Sequence, residues 1–318
     1  MTRSAAPGRP VIDEVVALVS AALRSGTGMR VVERRPNGFS TKVASEFVTL
    51  ESSTGATAAV LVKKVVDRTG ARRPDPPDRE ALVYRALHGN PAFRAPRLVG
   101  VTAGEDPHLV LEMVDGWDLR YRDLDAWEAA AEDLGRMHGA WEEERSSLAR
   151  LGFLERWTAE RALQDAAAAE AAVREDETAS DLLRPVIEGH APLAAELTSL
   201  PATLVHGDLA PKNVVVEEAA GAFSVFFVDW EWAAVGPGVL DLAELVNGLD
   251  GSAAERLIHA YERGGEHPPG AVSRGLELAR LQRTLFRIAR SADWGIPAGE
   301  RLEWARVAAG LHAELSRG

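Results

Sequence analysis

The chain has 318 residues, 46% hydrophobic and only 6% aromatic, with 36 basic against 48 acidic residues for a net charge of −12. That is enough for one large domain or two lobes sharing a cleft, with a core of Ala, Leu and Val rather than aromatic rings. The acidic balance disfavours nucleic acid and anionic membranes as partners. No stretch approaches the run of about 20 apolar residues that a membrane span needs, and with no cysteine, disulfides, thiolate nucleophiles and Cys-based metal sites are excluded. Met1 to Pro10 lacks the apolar stretch of a signal peptide, so a cytoplasmic location is expected.

Val11 to Leu23 predicts a helix, with Val11, Val15, Leu18 and Ala22 at helical spacing. Met29 to Glu33 and Val43 to Leu50 read as strands flanking a turn at Pro36-Asn37-Gly38, and Ala58 to Val66 as a third, strongly apolar strand after a turn at Ser52 to Gly55. Asp67 to Asp78, rich in Pro and Arg, reads as an exposed loop. Arg79 to His88 is a short helix, and Arg97 to Val101 and His108 to Met113 are further strands. Beyond Gly116 the period becomes helical: Leu124, Trp127, Ala130, Leu134, Met137 and Trp141 form one stripe. Arg156 to Glu177 predicts a surface helix, and Asp181 to Leu197 one broken at Pro185 and Pro192. Brief strands at Leu204-Val205, Val214 to Val216 and Phe223 to Val228 surround polar motifs, and the remainder is helical. The expected layout is a sheet-rich N-lobe over residues 1–114 and a helical C-lobe over 115–318, with the crossover near Leu111 to Gly116.

The sharpest polar motif is His206-Gly207-Asp208-Leu209-Ala210-Pro211-Lys212-Asn213, set between two apolar strands. Phosphoryl transfer needs a carboxylate to orient the acceptor hydroxyl and take its proton, and a hard oxygen ligand for Mg²⁺ close by. An Asp and, after four intervening residues, an Asn supply both. This segment resembles the catalytic loop of the aminoglycoside phosphotransferase and choline kinase superfamily, a relative of the protein-kinase loop. The resemblance implies an α+β, protein-kinase-like bilobal fold, with an antiparallel-sheet N-lobe and a mainly helical C-lobe. It implies Asp208 as catalytic base and Asn213 as a Mg²⁺ ligand.

Other segments follow in the family's order. Phe226-Phe227-Val228-Asp229-Trp230-Glu231 ends an apolar strand in an acidic turn, and Asp229 matches the family's Mg²⁺-binding aspartate. Glu231 fits two readings, assistance to a second ion or substrate, or a salt-bridged strand end. Gly236 to Ala243 resembles the loop into the next helix, with Asp241 capping that helix and bracing the catalytic loop. In Val60-Leu61-Val62-Lys63-Lys64, Lys63 matches the lysine that pairs with the α- and β-phosphates, and Glu80 its helix partner; Lys64 points to the opposite strand face. Lysine occurs only at positions 42, 63, 64 and 212, the other 32 of the 36 basic residues being arginine, so those that remain suit jobs for a compact point charge. The turn from Pro36 to Thr41 occupies the place of the phosphate-covering loop. It is not Gly-x-Gly-x-x-Gly, so backbone N–H groups and the Ser40 or Thr41 hydroxyl are its contacts to phosphate; an ordinary hairpin turn fits it too. Leu109 to Gly116 resembles the hinge that reads the purine through its backbone, which leaves ATP or GTP open.

Lys212 stands where relatives often carry glycine and lies between the proposed base and metal ligand. About a dozen residues separate Asp229 from Asp241, too few for a protein kinase's activation segment. His206 reads as a framework residue, and the other histidines show no metal-ligand spacing. Asp293-Trp294 fits either the edge of an acceptor pocket or a buried anchor. The resulting expectation is transfer of the γ-phosphate of ATP or GTP, with Mg²⁺, to a hydroxyl of a small molecule: an aminoglycoside-like antibiotic, another natural product, a sugar or an amino alcohol. The acidic balance favours a cationic acceptor. The alternatives are a Ser/Thr kinase of a small peptide in natural-product maturation, and a nucleotide-binding pseudokinase scaffold.

Overall fold

The computed structural model describes residues 9–23, 28–38, 44–65, 79–103 and 107–317. Ser40, Thr41, Lys42 and the Asp67 to Asp78 loop lie outside the described residues. The elements in chain order are α1 (Arg9–Ala22), β1 (Met29–Pro36), β2 (Ser45–Ser52), β3 (Thr57–Lys64), α2 (Arg79–Leu87), β4 (Leu98–Val101), β5 (His108–Glu112) and β6 (Trp117–Asp118). They continue as α3 (Leu124–Glu143), α4 (Arg145–Ala149), β7 (Glu155–Arg156), α5 (Ala159–Val173), α6 (Glu177–Ser199), β8 (Ala202–Val205), β9 (Val214–Ala219) and β10 (Ala222–Phe227). The last are β11 (Ala234–Pro237), α7 (Val239–Leu245), α8 (Gly251–Gly264), α9 (Ser273–Arg290) and α10 (Ala298–Leu315). Two compact units result: Met1–Trp117 with Glu217–Glu231, and Asp118–Val216 with Trp232–Gly318.

The first unit is built on a five-stranded antiparallel sheet in the order β1-β2-β3-β5-β4. Alternation in β2 and β3 turns Val48, Leu50, Val60 and Val62 to one face, where Val110 and the α1 stripe Ile12, Val15 and Val19 close the core. Lys63 follows Val62 and so lies on the other face of the sheet. The β9–β10 hairpin turns at Ala220 and Gly221, both with positive φ, as a two-residue turn between twisted strands requires. Its exit is tied to this unit, because the Phe227 N–H donates to the Arg94 carbonyl at 2.8 Å. Trp230 is fully buried, donates its indole N–H to the Phe227 carbonyl, and packs on Phe93, which packs on Tyr84.

The second unit is helical around a small sheet in which β11 runs between β7 and β8. Asp123, Thr158, Asp176 and Asp250 cap α3, α5, α6 and α8. The helices α3 and α8 touch backbone to backbone: a Cβ on Gly135 would come within 2.2 Å of the Tyr261 carbonyl oxygen.

Three sequence expectations are corrected. The helix α6 is continuous, with Pro185 and Pro192 inside it. Both prolines are on its exposed side, where water can take the carbonyls they leave unbonded, while Leu183, Val186, Leu193 and Leu197 are buried. The Ala-rich α5 is only half a surface helix, since Ala162, Ala166, Ala169 and Val173 form a buried stripe. And β11 was not expected as a strand. Its Gly and Pro read as loop, yet Pro237 ends the strand, where its missing N–H costs least.

Candidate active site

In the first unit three segments converge on one ammonium group. Lys63, at the end of β3, places Nζ 2.7 Å from Glu80 Oε2 and 2.5 Å from Asp229 Oδ1. Glu80 comes from the first turn of α2, and Asp229 from the turn after β10. Asp229 sits at φ 71°, a left-handed conformation uncommon for a residue with a side chain, and buried Trp230 beside it holds the turn. Burial works against the Lys63 charge, but Glu80 and then Asp229 outweigh it and raise its pKa. One turn beyond Glu80, Tyr84 buries its hydroxyl with no hydrogen-bond partner among the described residues. Burial, then the charges of Glu80 and Asp229, push that phenol well up. Two carboxylates, Glu80 and Asp229, meet at this ammonium, and a carboxylate such as Asp229 is the hard oxygen donor that suits a divalent cation. Met113 N–H donates to the Ala59 carbonyl and Asp115 N–H to Glu217 Oε1, fixing the hinge-like segment within this unit.

In the second unit the motif loop leaves β8 at His206, makes a 3₁₀ turn over Pro211–Asn213 and enters β9. Gly207 has φ 82°, and a Cβ there would meet the Trp232 carbonyl oxygen at 2.4 Å, so glycine is required twice over. Asp241 braces the loop from α7, its carboxylate accepting the N–H groups of His206 at 2.6 Å and Gly207 at 2.9 Å. This is the expected brace but not the expected helix cap, because Gly238 occupies the cap position of α7. Burial opposes ionisation of Asp241, yet His138, His206 and the His206 N–H hold its carboxyl below the usual range. His138 stands 3.4 Å from Asp241 and bonds the Tyr261 hydroxyl at 2.9 Å.

Asp208 is thereby presented on a fixed loop. Its N–H donates to His206 Nδ1 at 3.3 Å, which gives that buried histidine its framework role. The Asn213 amide donates to the Asp208 carbonyl at 2.7 Å and to Oδ2 at 3.2 Å, which commits its NH₂ and leaves its carbonyl oxygen as the hard donor. Lys212 Nζ is 3.7 Å from Asp208 Oδ2, and its side chain is 46% exposed. The structure thus joins Lys63 with Glu80 and Asp229, and Asp208 with Asn213 and Lys212. Glu231 lies in the 3₁₀ turn Trp230–Trp232. Asp293 pairs with Arg290, and Trp294 is exposed with its ring 6.1 Å from Phe286, so it is not a buried anchor. No group of three or more acidic or histidine residues able to hold a metal exists among the described residues.

Sequence reasoning missed Arg283, on α9, whose guanidinium reaches both Glu244 and the Gly207 carbonyl. The one available signal was an arginine next to the apolar stripe of α9; with arginine used so freely, it does not stand out.

The model of a phosphotransferase enzyme family matches residues 52–275. No curated protein matches the chain in sequence. In structure it is similar to macrolide 2′-phosphotransferase MphH from Brachybacterium faecium, at 21% identity over 93% of this chain and 97% of that one, TM-score 0.59. It is similar also to aminoglycoside 2′-phosphotransferase-IIIa in its GDP complex, at 12% identity over 95% and 99% of the two chains, TM-score 0.62. A third likeness is to choline kinase from Cryptosporidium parvum Iowa II, at 11% identity over 96% and 95%, TM-score 0.60. At these identities the likeness shows the fold, the α+β fold expected from the sequence.

Proposed function

The chain belongs to the phosphotransferase enzyme family, and from that premise we propose that it moves the γ-phosphate of ATP or GTP to a hydroxyl of a small molecule. The observation that carries this reading is Lys63 held by both Glu80 and Asp229, an ammonium set among carboxylates as polyphosphate binding beside a divalent cation would need.

Lys63 binds the α- and β-phosphates, with Glu80 fixing its direction. Asp229 and the Asn213 carbonyl oxygen are the protein oxygens that would ligate Mg²⁺, which when bound would supply neutralisation of phosphate charge. Asp208 accepts a hydrogen bond from the acceptor hydroxyl and orients its oxygen in line with the γ-phosphorus. As the new O–P bond forms, the bond to the β-phosphate oxygen breaks and the hydroxyl proton passes to Asp208, then to solvent. Nucleoside diphosphate leaves, and no covalent enzyme intermediate is needed. Lys212 offers its charge to the transferring group.

The likeness to macrolide and aminoglycoside phosphotransferases and to choline kinase supports a small hydroxylated acceptor, and the net charge of −12 favours a cationic one. The GDP bound by one relative supports testing GTP beside ATP. Transfer of label from γ-labelled ATP and GTP to hydroxylated amines, macrolides, sugars and Ser/Thr peptides tests the reading. Label on an amine, a macrolide or a sugar supports it; label on peptide alone replaces it with the peptide-kinase reading, and nucleotide binding without transfer to any acceptor with the scaffold reading.

A further inference from the structure

The loop that carries Asp208 has one weak point. Gly207 is its left-handed residue, and a glycine there leaves the following peptide, Gly207 C=O to Asp208 N–H, free to flip unless both ends are held. A flip would swing the Asp208 side chain off its bearing. The N–H end is held by His206 Nδ1 at 3.3 Å. The carbonyl end is held by Arg283, whose Nη1 donates to it at 3.2 Å from the far C-terminal helix α9.

Arg283 is itself locked. It is buried, with side-chain exposure of 6%, its Nε donates to Glu244 Oε2 at 2.9 Å, and its guanidinium lies 4.9 Å from the Phe286 ring centre. Burial opposes its charge, but Glu244, then Asp208 and Asp241, more than restore it. A buried fork with one arm on a carboxylate and another on a loop carbonyl is a task for arginine, since lysine has no fork to span the two. Arg287 bonds the same Glu244 and Asn247.

We propose that Arg283 is a positioning residue for phosphoryl transfer, pinning the Gly207–Asp208 peptide so that the Asp208 carboxylate keeps its bearing on the acceptor hydroxyl. The catalytic part of this rests on the function proposed above; the pinning does not. Arg283 is buried and spends its guanidinium on Glu244 and the Gly207 carbonyl, so its loss should fall on kcat and spare nucleotide binding.

The test uses the full chain with Arg283→Met, Arg283→Lys and Glu244→Gln, and Arg287→Met as the variant that removes an equal charge from Glu244 without touching Gly207. Arg283→Met should lower kcat by roughly ten- to a hundredfold, as a lost charge-assisted hydrogen bond implies. Nucleotide KM should stay within about twofold, since the loss is confined to the transition state. Arg283→Lys should recover part of the rate. Hydrogen exchange at the Asp208 amide should accelerate at least about tenfold in Arg283→Met and stay near wild type in Arg287→Met, because local opening sets that rate. If Arg283→Met fails to fold, Arg283→Lys and Glu244→Gln must show the same kcat loss and faster Asp208 exchange in smaller measure. Unchanged Asp208 exchange, or kcat per folded molecule equal to wild type, overturns the proposal. A wild-type chain that transfers no phosphate overturns the function reading instead, and the exchange comparison still decides whether Arg283 pins the loop.

Discussion

Lys63 and Asp229, 166 residues apart in sequence, form a 2.5 Å ion pair. Glu80 holds the same ammonium, so replacing Lys63 takes that cation from two partly buried carboxylates. Lys63→Ala should lose about 1–3 kcal/mol of stability, between the worth of an exposed pair and that of a buried one, and also most of its nucleotide affinity. Lys64→Ala, on the opposite strand face, should spare nucleotide affinity to within about twofold. Calorimetry with Mg²⁺-nucleotide and urea unfolding of both variants check this, and a larger affinity loss at Lys64 would contradict it.

Glu244 provides a stability test at acid pH. Burial would raise its carboxyl, but Arg283 and Arg287 win and hold it at about 2, against an ordinary 4.5. A carboxyl depressed on folding contributes stability that is fully present above pH 4.5 and lost as pH falls toward 2. The span corresponds to about 3 kcal/mol. Urea unfolding of Glu244→Gln should therefore show a shallower loss of stability across that window than wild type; equal slopes would contradict it.

His190 acts in a different window. It is buried on α6, Nε2 against Gln282 at 3.0 Å, and burial, with the nearby His312, lowers its pKa below 6.5 despite that bond. The unfolded chain therefore takes the proton first, and stability falls as pH drops below 6.5. Replacing His190 with Gln should flatten the stability profile between about pH 6.5 and 5, the range in which an ordinary histidine protonates. An unchanged profile would show that another group titrates there.

How much of this was legible depended on how local each feature was. The alternation in β2, the helix at Leu124 to Trp141 and the motif from His206 to Asn213 are written in neighbouring residues, and all three were read correctly as elements. Strand alternation puts Lys63 and Lys64 on opposite faces, while the choice of Lys63, with Glu80 as its partner, comes from the family resemblance. Arg283 and Glu244 acquire meaning only through partners far along the chain, so composition and spacing could not single them out. The prolines of α6 misled for the same reason, because the packing that offsets them is tertiary.

Lys212 pairs with Asp208 at 3.7 Å on an exposed side chain, which contributes little to stability. Lys212→Gly should therefore melt within a few degrees of wild type, yet lose turnover by about ten- to a hundredfold if the ammonium meets the transferring phosphoryl group. Steady-state kinetics beside a thermal melt separates the two effects. Unchanged turnover would return Lys212 to the solvent.

We propose Asp208 as base to an acceptor hydroxyl, with nucleotide held by Lys63 and Asp229. Single-turnover transfer of γ-phosphate by Asp208→Asn, with Mg²⁺-nucleotide affinity measured on the same sample, tests it most directly. Affinity should stay within about threefold of wild type and transfer should slow by roughly 10²–10⁴, the usual worth of a general base. Transfer at the wild-type rate would contradict it.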